Sequence, residues 1–363
     1  MIDSKQTFVI KRYDHSADRS LRSHSAADEY LLSNFNSLDD KPKRIAIYND
    51  RFGFLSCHLS AYSPTVILAN KSQEKAIYLN LSANKLPLPQ FANPIEGIEE
   101  KIEFAIMKAP KSLALFQVYL EQIAHNSSDE VTVVIAFMTR HFTPKLLEIS
   151  GKYFESVEQS KAVKKSRLLI LSKKKQVERS EIIDDLEYKS NSYKQYWGVF
   201  SAKHIDYATQ YFVEHLEIKS SDKQILDLAS GNGVIGKEIQ QKNPKAEIHL
   251  LDDSFLAVES AKLNIDGDNI HHHYNNDLSE FEAGSFDVIV SNPPFHFEYE
   301  VNIQIAIQLF KECHKCLKIN GNLQVVASKH LNYKTHLTPL FSTVEVVAEN
   351  DKFIIYKCIK NDK

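Results

Sequence analysis

The sequence predicts an α/β protein built from two Rossmann-like domains in tandem. Three observations predict it. Short apolar segments of strand type alternate with helical patterns along the 363 residues, an order that generates parallel sheets. The length is long for one domain and suits two. Glycine is unevenly spread: Gly53, Gly97 and Gly151 precede residue 198 and the other seven of the 10 lie from Gly198 onward. Only the second half therefore carries a clustered glycine turn, and the first is expected to lack a cofactor loop. The expected boundaries are 1–180 for an N-terminal domain, 181–197 for a linker and 198–363 for a C-terminal domain.

In the first half, Tyr30, Leu31 and Leu32 mark a helix within residues 1–43. Arg44–Tyr48, Pro64–Leu68 and Ala76–Leu79 read as strands, and Ser112–His125 as an amphipathic helix. Val131–Phe137 is an unbroken apolar run of buried-strand type. Pro144–Ile149 suggests a helix and Arg167–Leu171 a strand. The polar stretch Lys173–Tyr196, poor in large aliphatics, reads as the connection. In the second half, strands are expected at Gln224–Leu228, Glu247–Leu251, Ile270–Tyr274, Phe286–Val290 and Leu323–Ala327. Helices are expected at Val234–Gln241, Phe255–Asn264, Ile303–Leu317 and Tyr333–Leu340. Thr343–Val347 and Phe353–Cys358, joined by Glu349-Asn350-Asp351, close the chain as a hairpin.

The formal charge of −3 does not mark a nucleic-acid binder. The halves differ, however: residues 1–200 carry 28 Lys+Arg against 24 Asp+Glu, and the remainder 16 against 23. The basic excess is concentrated between Lys161 and Arg179, in Lys161, Lys164, Lys165, Arg167, Lys173, Lys174, Lys175 and Arg179. Such a stretch either neutralises phosphates or is a solvated surface. The start of the chain has no apolar core of signal-peptide length and no apolar run spans a bilayer. Cytoplasmic location, no membrane and free thiols at Cys57, Cys313, Cys316 and Cys358 are expected. The Cys313/Cys316 pair lies in a helical pattern with no second pair, and His271-His-His273 in a strand. No metal is expected.

Four motifs carry chemistry. Ile225-Leu-Asp-Leu-Ala-Ser-Gly-Asn-Gly-Val-Ile-Gly236 sits between a strand and a helix, as a nucleoside-binding turn requires. Gly231 and Gly233 admit a ligand close to the backbone, beside Ser230, and Gly236 lets the helix pack on the sheet. Asp227, at the strand end, can hold a polar or cationic ligand group. Asp252, about 20 residues after the turn, is placed for ribose hydroxyls; Asp253 or Ser254 caps the next helix. Asn275-Asn276-Asp277 follows the third strand, where Asp277 or Asn276 can meet an adenine amino group. The fourth motif, Ser291-Asn292-Pro293-Pro294-Phe295-His296, follows the buried fourth strand. The Asn292 side-chain oxygen and the Pro293 carbonyl can both accept hydrogens from an NH₂ group, orienting its lone pair toward an electrophile. Phe295 can stack on a planar base drawn out of its stack. Pro294 and His296 adjoin the same substrate position. Gly198-Val-Phe200-Ser is a candidate lid over the cofactor, with Phe200 lining its pocket.

With these residues in place, the chain resembles the RsmC/RlmG family of ribosomal RNA guanine-N2 methyltransferases. The matching pieces are Gly198-Val-Phe-Ser, Asp227 with Gly231-Asn-Gly-Val-Ile-Gly236, Asp252-Asp-Ser and Asn292-Pro-Pro-Phe-His296. The tails Cys316-Leu-Lys-Ile-Asn-Gly-Asn-Leu and Asn350-Asp-Lys-Phe-Ile-Ile-Tyr-Lys look most like the large-subunit (23S) members. The resemblance implies two class I methyltransferase-type domains, the N-terminal one non-catalytic and RNA-recognising. It also implies S-adenosylmethionine as cofactor and large-subunit rRNA as partner; a monomer is favoured, though the sequence does not fix the oligomeric state. One departure stands out: the family usually reads Asp-Leu-Gly-Cys-Gly where this chain has Asp227-Leu-Ala-Ser-Gly231. The rival substrates are 16S rRNA, adenine N6 and a protein glutamine. The rival class is a non-catalytic RNA-binding assembly factor on a degenerate methyltransferase fold.

Overall fold

The computed structural model describes residues 8–13, 22–98, 100–294, 296–297, 300–301 and 303–361, with 296–297 and 300–301 described by backbone alone. The chain divides into two compact units, the first ending at Ile182 and the second running from Ile183.

The first unit holds strands Ile45–Tyr48 (β1), Thr65–Ile67 (β2), Gln90–Ala92 (β3), Ile102–Lys108 (β4), Ser127–Met138 (β5), Phe154–Gln159 (β6) and Ser166–Lys174 (β7). They form one sheet in the order β3-β2-β1-β4-β5-β7-β6. β1 to β5 are parallel, and β7 runs antiparallel to both β5 and β6. Successive strand residues point to opposite faces, so each face has its own core. Ala46 and Tyr48 pack with Phe116, Tyr119 and Ile123 of the helix Leu113–Asn126. Ile45 and Ile47 pack with Leu31 and Phe35 of the helix Ala26–Asn36 and with Ile77 and Leu81.

One expected strand is overturned. Ala76–Leu79 lies inside the helix Lys71–Ala83, whose buried residues Gln73, Ala76, Ile77, Asn80 and Leu81 have helical spacing. The outer strand is Gln90–Ala92 instead.

The second unit opens with a hairpin, Ile183–Tyr188 (β8) and Asn191–Tyr196 (β9). The stretch expected as a linker is therefore folded. It is polar because the strands bury few residues, Leu186, Tyr193 and Gln195, and leave the others half-buried or exposed. The N–H groups of Lys194 and Tyr196 donate to Asn264 Oδ1 and Ser260 Oγ on the helix Phe255–Asn264.

The strands that follow are Gln224–Leu228 (β10), Glu247–Asp252 (β11), Ile270–Tyr274 (β12), Phe286–Ser291 (β13), the separate short pair His296–Phe297 (β14) and Glu300–Val301 (β15), Leu317–Ser328 (β16), Thr343–Glu349 (β17) and Phe353–Ile359 (β18), and all but that pair form the main sheet. Its order, β12-β11-β10-β13-β16-β18-β17, repeats that of the first unit position for position. β10 to β13 and β16 are parallel. The closing hairpin inserts β18 antiparallel between β16 and β17. Among the described residues, no helix is long and apolar enough to cross a membrane.

Candidate active site

The C-terminal ends of the adjacent parallel strands β12, β11, β10 and β13 carry the four chemistry-bearing motifs of the second half. This is the edge where open α/β sheets bind ligands.

Asp227, next to last in β10, is fully buried. Its Oδ2 accepts the Gly236 N–H at 2.8 Å. Its Oδ1 has no partner among the described residues. Burial pushes its carboxyl up to about 8, the Gly236 N–H pulls the other way, and the Asp252 charge adds to the rise. The loop then turns sharply. Ala229 has φ +60° and donates its N–H to the Leu251 carbonyl at 2.8 Å. Ser230 is buried with its Oγ unpartnered among the described residues.

The three loop glycines do different work. A Cβ on Gly231, at φ +57°, would meet nothing within 4 Å: this is an open cradle. A Cβ on Gly233, at φ +84°, would sit 3.2 Å from Ala261 Cβ and Ile265 Cγ2. Gly233 was expected to admit a ligand; it serves helix packing instead. On Gly236 a Cβ would press to 2.7 Å from Leu250 Cδ2, so this glycine seats its helix on the sheet.

Asp252 ends β11 and locks the loop. Its Oδ2 accepts the Gly231 N–H at 2.9 Å and its Oδ1 the Ser254 N–H at 2.8 Å. Burial pushes it up to about 6, against the pull of those two N–H groups. Each oxygen keeps a further lone pair for a ligand hydroxyl. Ser254 caps the next helix, accepting from Ala257 N at 3.3 Å. After β12 the two candidates separate. Asp277 Oδ1 accepts the N–H and hydroxyl of Ser279, closing its own turn. Asn276 Oδ1 is buried with no partner among the described residues. Of the two, Asn276 is the one with an acceptor left for an amino group.

Asn292 follows β13. Its side-chain N–H₂ donates to Asp206 Oδ2 at 3.1 Å and to Thr209 Oγ1 at 3.0 Å. Asp206 is the N-cap of the helix Tyr207–His215 and also accepts the N–H groups of Ala208 and Thr209. Among the described residues nothing donates to Asn292 Oδ1. Pro293 is buried and Pro294 exposed. Phe295 and the side chain of His296 lie outside the described residues. The sequence motifs omit Asp206 and Thr209; their signal is an N-cap aspartate ahead of an apolar helical pattern.

The 198–201 segment is tied to the glycine loop. Gln195 Oε1 accepts from Asn232 Nδ2 at 2.9 Å, and its Nε2 donates to the Phe200 and Ser201 carbonyls at 3.5 and 3.3 Å. Phe200 itself is 71% exposed, so the structure does not bury it in a pocket.

The first unit keeps the backbone of this loop without its chemistry. Asn49 and Gly53 have φ of +59° and +83°, matching +60° and +84° at Ala229 and Gly233. Ile47 stands where Asp227 does and Arg51 where Gly231 does. Lys108, the residue in register with Asn292, pairs with Asp28 at 2.8 Å.

The basic stretch of the first unit is mixed. Lys165 and Lys173 are exposed, and exposed Lys164 pairs with Glu29 at 2.8 Å. The Lys174 side chain is only 7% exposed and donates to the Ser127 carbonyl; Lys175 donates to the Gly151 carbonyl. Those two ammonium groups are committed to the fold, a correction to their expected role on phosphates. In the second unit, His271 and His273 pair with Glu247 and Glu280, and Cys313 and Cys316 are buried in the core.

Comparison with known proteins fits this geometry. The family described as RLMG N-terminal domain matches residues 1–177, and that described as Methyltransferase small domain matches 191–357. Ribosomal RNA large subunit methyltransferase G of Psychromonas ingrahamii is 31% identical over 377 residues, covering 98% of each chain. The chain belongs to the ribosomal RNA large subunit methyltransferase G family. A second member, from Pseudoalteromonas translucida, is 30% identical over 98% of this chain and 97% of its own. The fold is shared with a 16S rRNA N2 methyltransferase (RsmC) of T. thermophilus, solved with AdoMet and guanosine. Its TM-score is 0.77 at 18% identity, covering 95% of this chain and 94% of that one.

Proposed function

We propose that this chain transfers a methyl group from S-adenosylmethionine to the exocyclic N2 amine of a guanine in large-subunit (23S) rRNA, as a cytoplasmic monomer. One observation carries the reading. The chain matches large-subunit rRNA methyltransferases over 98% of its length, and its Asn292-Pro293-Pro294 segment directly follows the strand paired with the one that leads into an open glycine cradle.

The residues present fit the cofactor. Asp227 Oδ1 and Ser230 Oγ are buried acceptors awaiting a donor, suited to a cationic amino-acid group. Gly231 leaves room for a ligand against the backbone. Asp252 is placed for ribose hydroxyls and Asn276 Oδ1 for an adenine amino group. When bound, the cofactor would supply an electrophilic sulfonium methyl whose leaving group is a neutral thioether, and the guanine amine that accepts the methyl would release its proton to water.

The chain's own part is alignment. Asn292 Oδ1 and the Pro293 carbonyl accept the amine hydrogens and hold its lone pair toward the methyl. Phe295 stacks on the base, with Pro294 and His296 beside it. Orientation of this kind is worth about 7–11 kcal/mol of barrier. The first unit, which ends at Ile182, holds RNA, with Lys164, Lys165 and Lys173 as its phosphate contacts.

The test is labelled methyl transfer to unmodified large-subunit rRNA, both protein-free and in subunits, followed by nucleoside digestion. Label in N2-methylguanosine is expected. Label in N6-methyladenosine, in 16S rRNA or in protein would replace the substrate; no transfer and no cofactor binding would leave an RNA-binding factor.

A further inference from the structure

We propose that Asp206 and Thr209 are positioning residues that set and polarise the Asn292 side chain for the acceptor amine. The inference rests on the proposed function and adds two residues to that site.

A primary amide has two N–H hydrogens and one carbonyl oxygen. In Asn292 each hydrogen has its own acceptor, Asp206 Oδ2 at 3.1 Å and Thr209 Oγ1 at 3.0 Å. The amide therefore cannot rotate end for end. A flipped Asn292 would set Oδ1 against a carboxylate oxygen and lose both bonds. Its carbonyl oxygen is the group left to meet a substrate, which for an amine substrate is the correct polarity.

The carboxylate does more than fix direction. Hydrogen bonds to an ionised acceptor are roughly twice as strong as neutral ones, and bonds in a chain polarise one another. Donation to Asp206 draws electron density through the amide onto Oδ1. As the amine nitrogen forms its bond to carbon, positive charge builds on it and its hydrogens become better donors. The line Asp206–Asn292–amine then stabilises charge that is absent from the bound substrate, which accelerates the step rather than merely tightening binding. Thr209 takes the second hydrogen and holds the amide plane.

Asp206 is held for this role by its own helix. The same Oδ2 accepts the Ala208 and Thr209 N–H groups at 3.1 and 3.2 Å, so the helix terminus fixes the carboxylate that fixes Asn292. The contrast with the first unit supports the assignment. There the residue in register with Asn292 is Lys108, paired with Asp28 at 2.8 Å. A lysine offers donors only, so that pair gives an amine no acceptor.

The helix cap must be separated from the chemistry. Asp206→Ser keeps a good N-cap residue and removes the charge. Thr209→Val keeps the shape and removes the hydroxyl, and Thr209→Ser restores it. Single-turnover transfer to unmodified large-subunit rRNA is measured with cofactor Kd and thermal midpoint for each full-length variant. The side-chain N–H₂ resonances of Asn292, assigned by their loss in Asn292→Ala, report its hydrogen bonds without any substrate. We expect single-turnover rates down about 100-fold for Asp206→Ser and about 10-fold for Thr209→Val. Thr209→Ser should stay within about twofold, with cofactor Kd within about threefold throughout. The Asn292 resonances should shift in Asp206→Ser and Thr209→Val. Rates that follow only the thermal midpoint, or resonances that stay in place, overturn the inference. If the unaltered chain leaves rRNA unlabelled, the proposed function falls on that result, whereas unmoved Asn292 resonances alone sink the positioning role.

Discussion

Replacing Ala229 by glycine should make the chain more stable. Ala229 stands in the left-handed region at φ +60°, which favours glycine. An L-residue there costs roughly 1–2 kcal/mol. Glycine removes that strain and returns about 0.4–1 kcal/mol through the greater freedom of the unfolded chain. The balance is about 0.5–1 kcal/mol in favour of Ala229→Gly. For a cooperative unit of this size, 1 kcal/mol moves the midpoint about 2–4 °C, so a rise of about 1–4 °C is expected. The backbone is already held, because the Ala229 and Ser230 N–H groups both donate to the Leu251 carbonyl, at 2.8 and 3.2 Å. The loop therefore keeps its path, and cofactor affinity should change by less than about threefold, or roughly 0.7 kcal/mol. Thermal denaturation of the cofactor-free chain, with a cofactor titration beside it, tests both. A lower midpoint would mean that the Ala229 methyl contributes packing worth more than the strain, and the reasoning would be wrong.

Three further predictions concern the same edge of the sheet and the basic stretch. Burial holds Asp227 up to about 8 and Asp252 up to about 6, from an ordinary value of 3.8. Their contribution to the stability of the cofactor-free chain is thus full below about 3.8 and is lost as pH rises toward 8. Asp227→Asn should flatten that loss, so its midpoint gains on the parent at pH 8 but not at pH 4; a gain independent of pH would refute the burial argument. Gly233→Ala forces contacts at 3.2 Å and should cost clearly more stability than Gly231→Ala, which meets nothing within 4 Å. Gly231→Ala should instead raise cofactor Kd at least about tenfold, since the methyl enters the cradle; an unchanged Kd would mean the cradle is not the ligand site. Removing Lys164, Lys165 and Lys173 together should lower the slope of log affinity against log salt by up to about 0.7 per phosphate contact. Lys174→Ala should leave that slope alone and lower stability, and the reverse pattern would contradict their assignments.

The second unit was legible because its physics is local. Gln224–Leu228, Phe255–Asn264 and Ile270–Tyr274 match their expected limits. The first unit hides more. The central strand Ile102–Lys108 is interrupted by Glu103 and ends on Lys108, whose charges are satisfied by Arg44 and Asp28 from distant sequence. Phe154–Gln159 carries Glu155 and Glu158 on its exposed positions. The helix Lys71–Ala83 passes for a strand at Ala76–Leu79 because its four adjacent nonpolar residues mask the helical period. In the site, the glycine loop and Asn292 were readable as motifs. The roles of Gly231 and Gly233 were not, since what a Cβ would meet depends on Ala261 and Ile265, about 30 residues on. Asp206 and Thr209 reach Asn292 across 86 and 83 residues of sequence, a juxtaposition only the sheet creates.

The most direct measurement compares Asn292→Ala with the unaltered chain for methyl transfer to unmodified large-subunit rRNA and, separately, for cofactor affinity. A site in which Asn292 orients the acceptor amine and Asp252 and Asp227 hold the cofactor predicts transfer reduced by about 10²–10³-fold with cofactor Kd nearly unchanged. Loss of cofactor binding in step with transfer, or transfer that survives the substitution, would show that the amine is bound elsewhere.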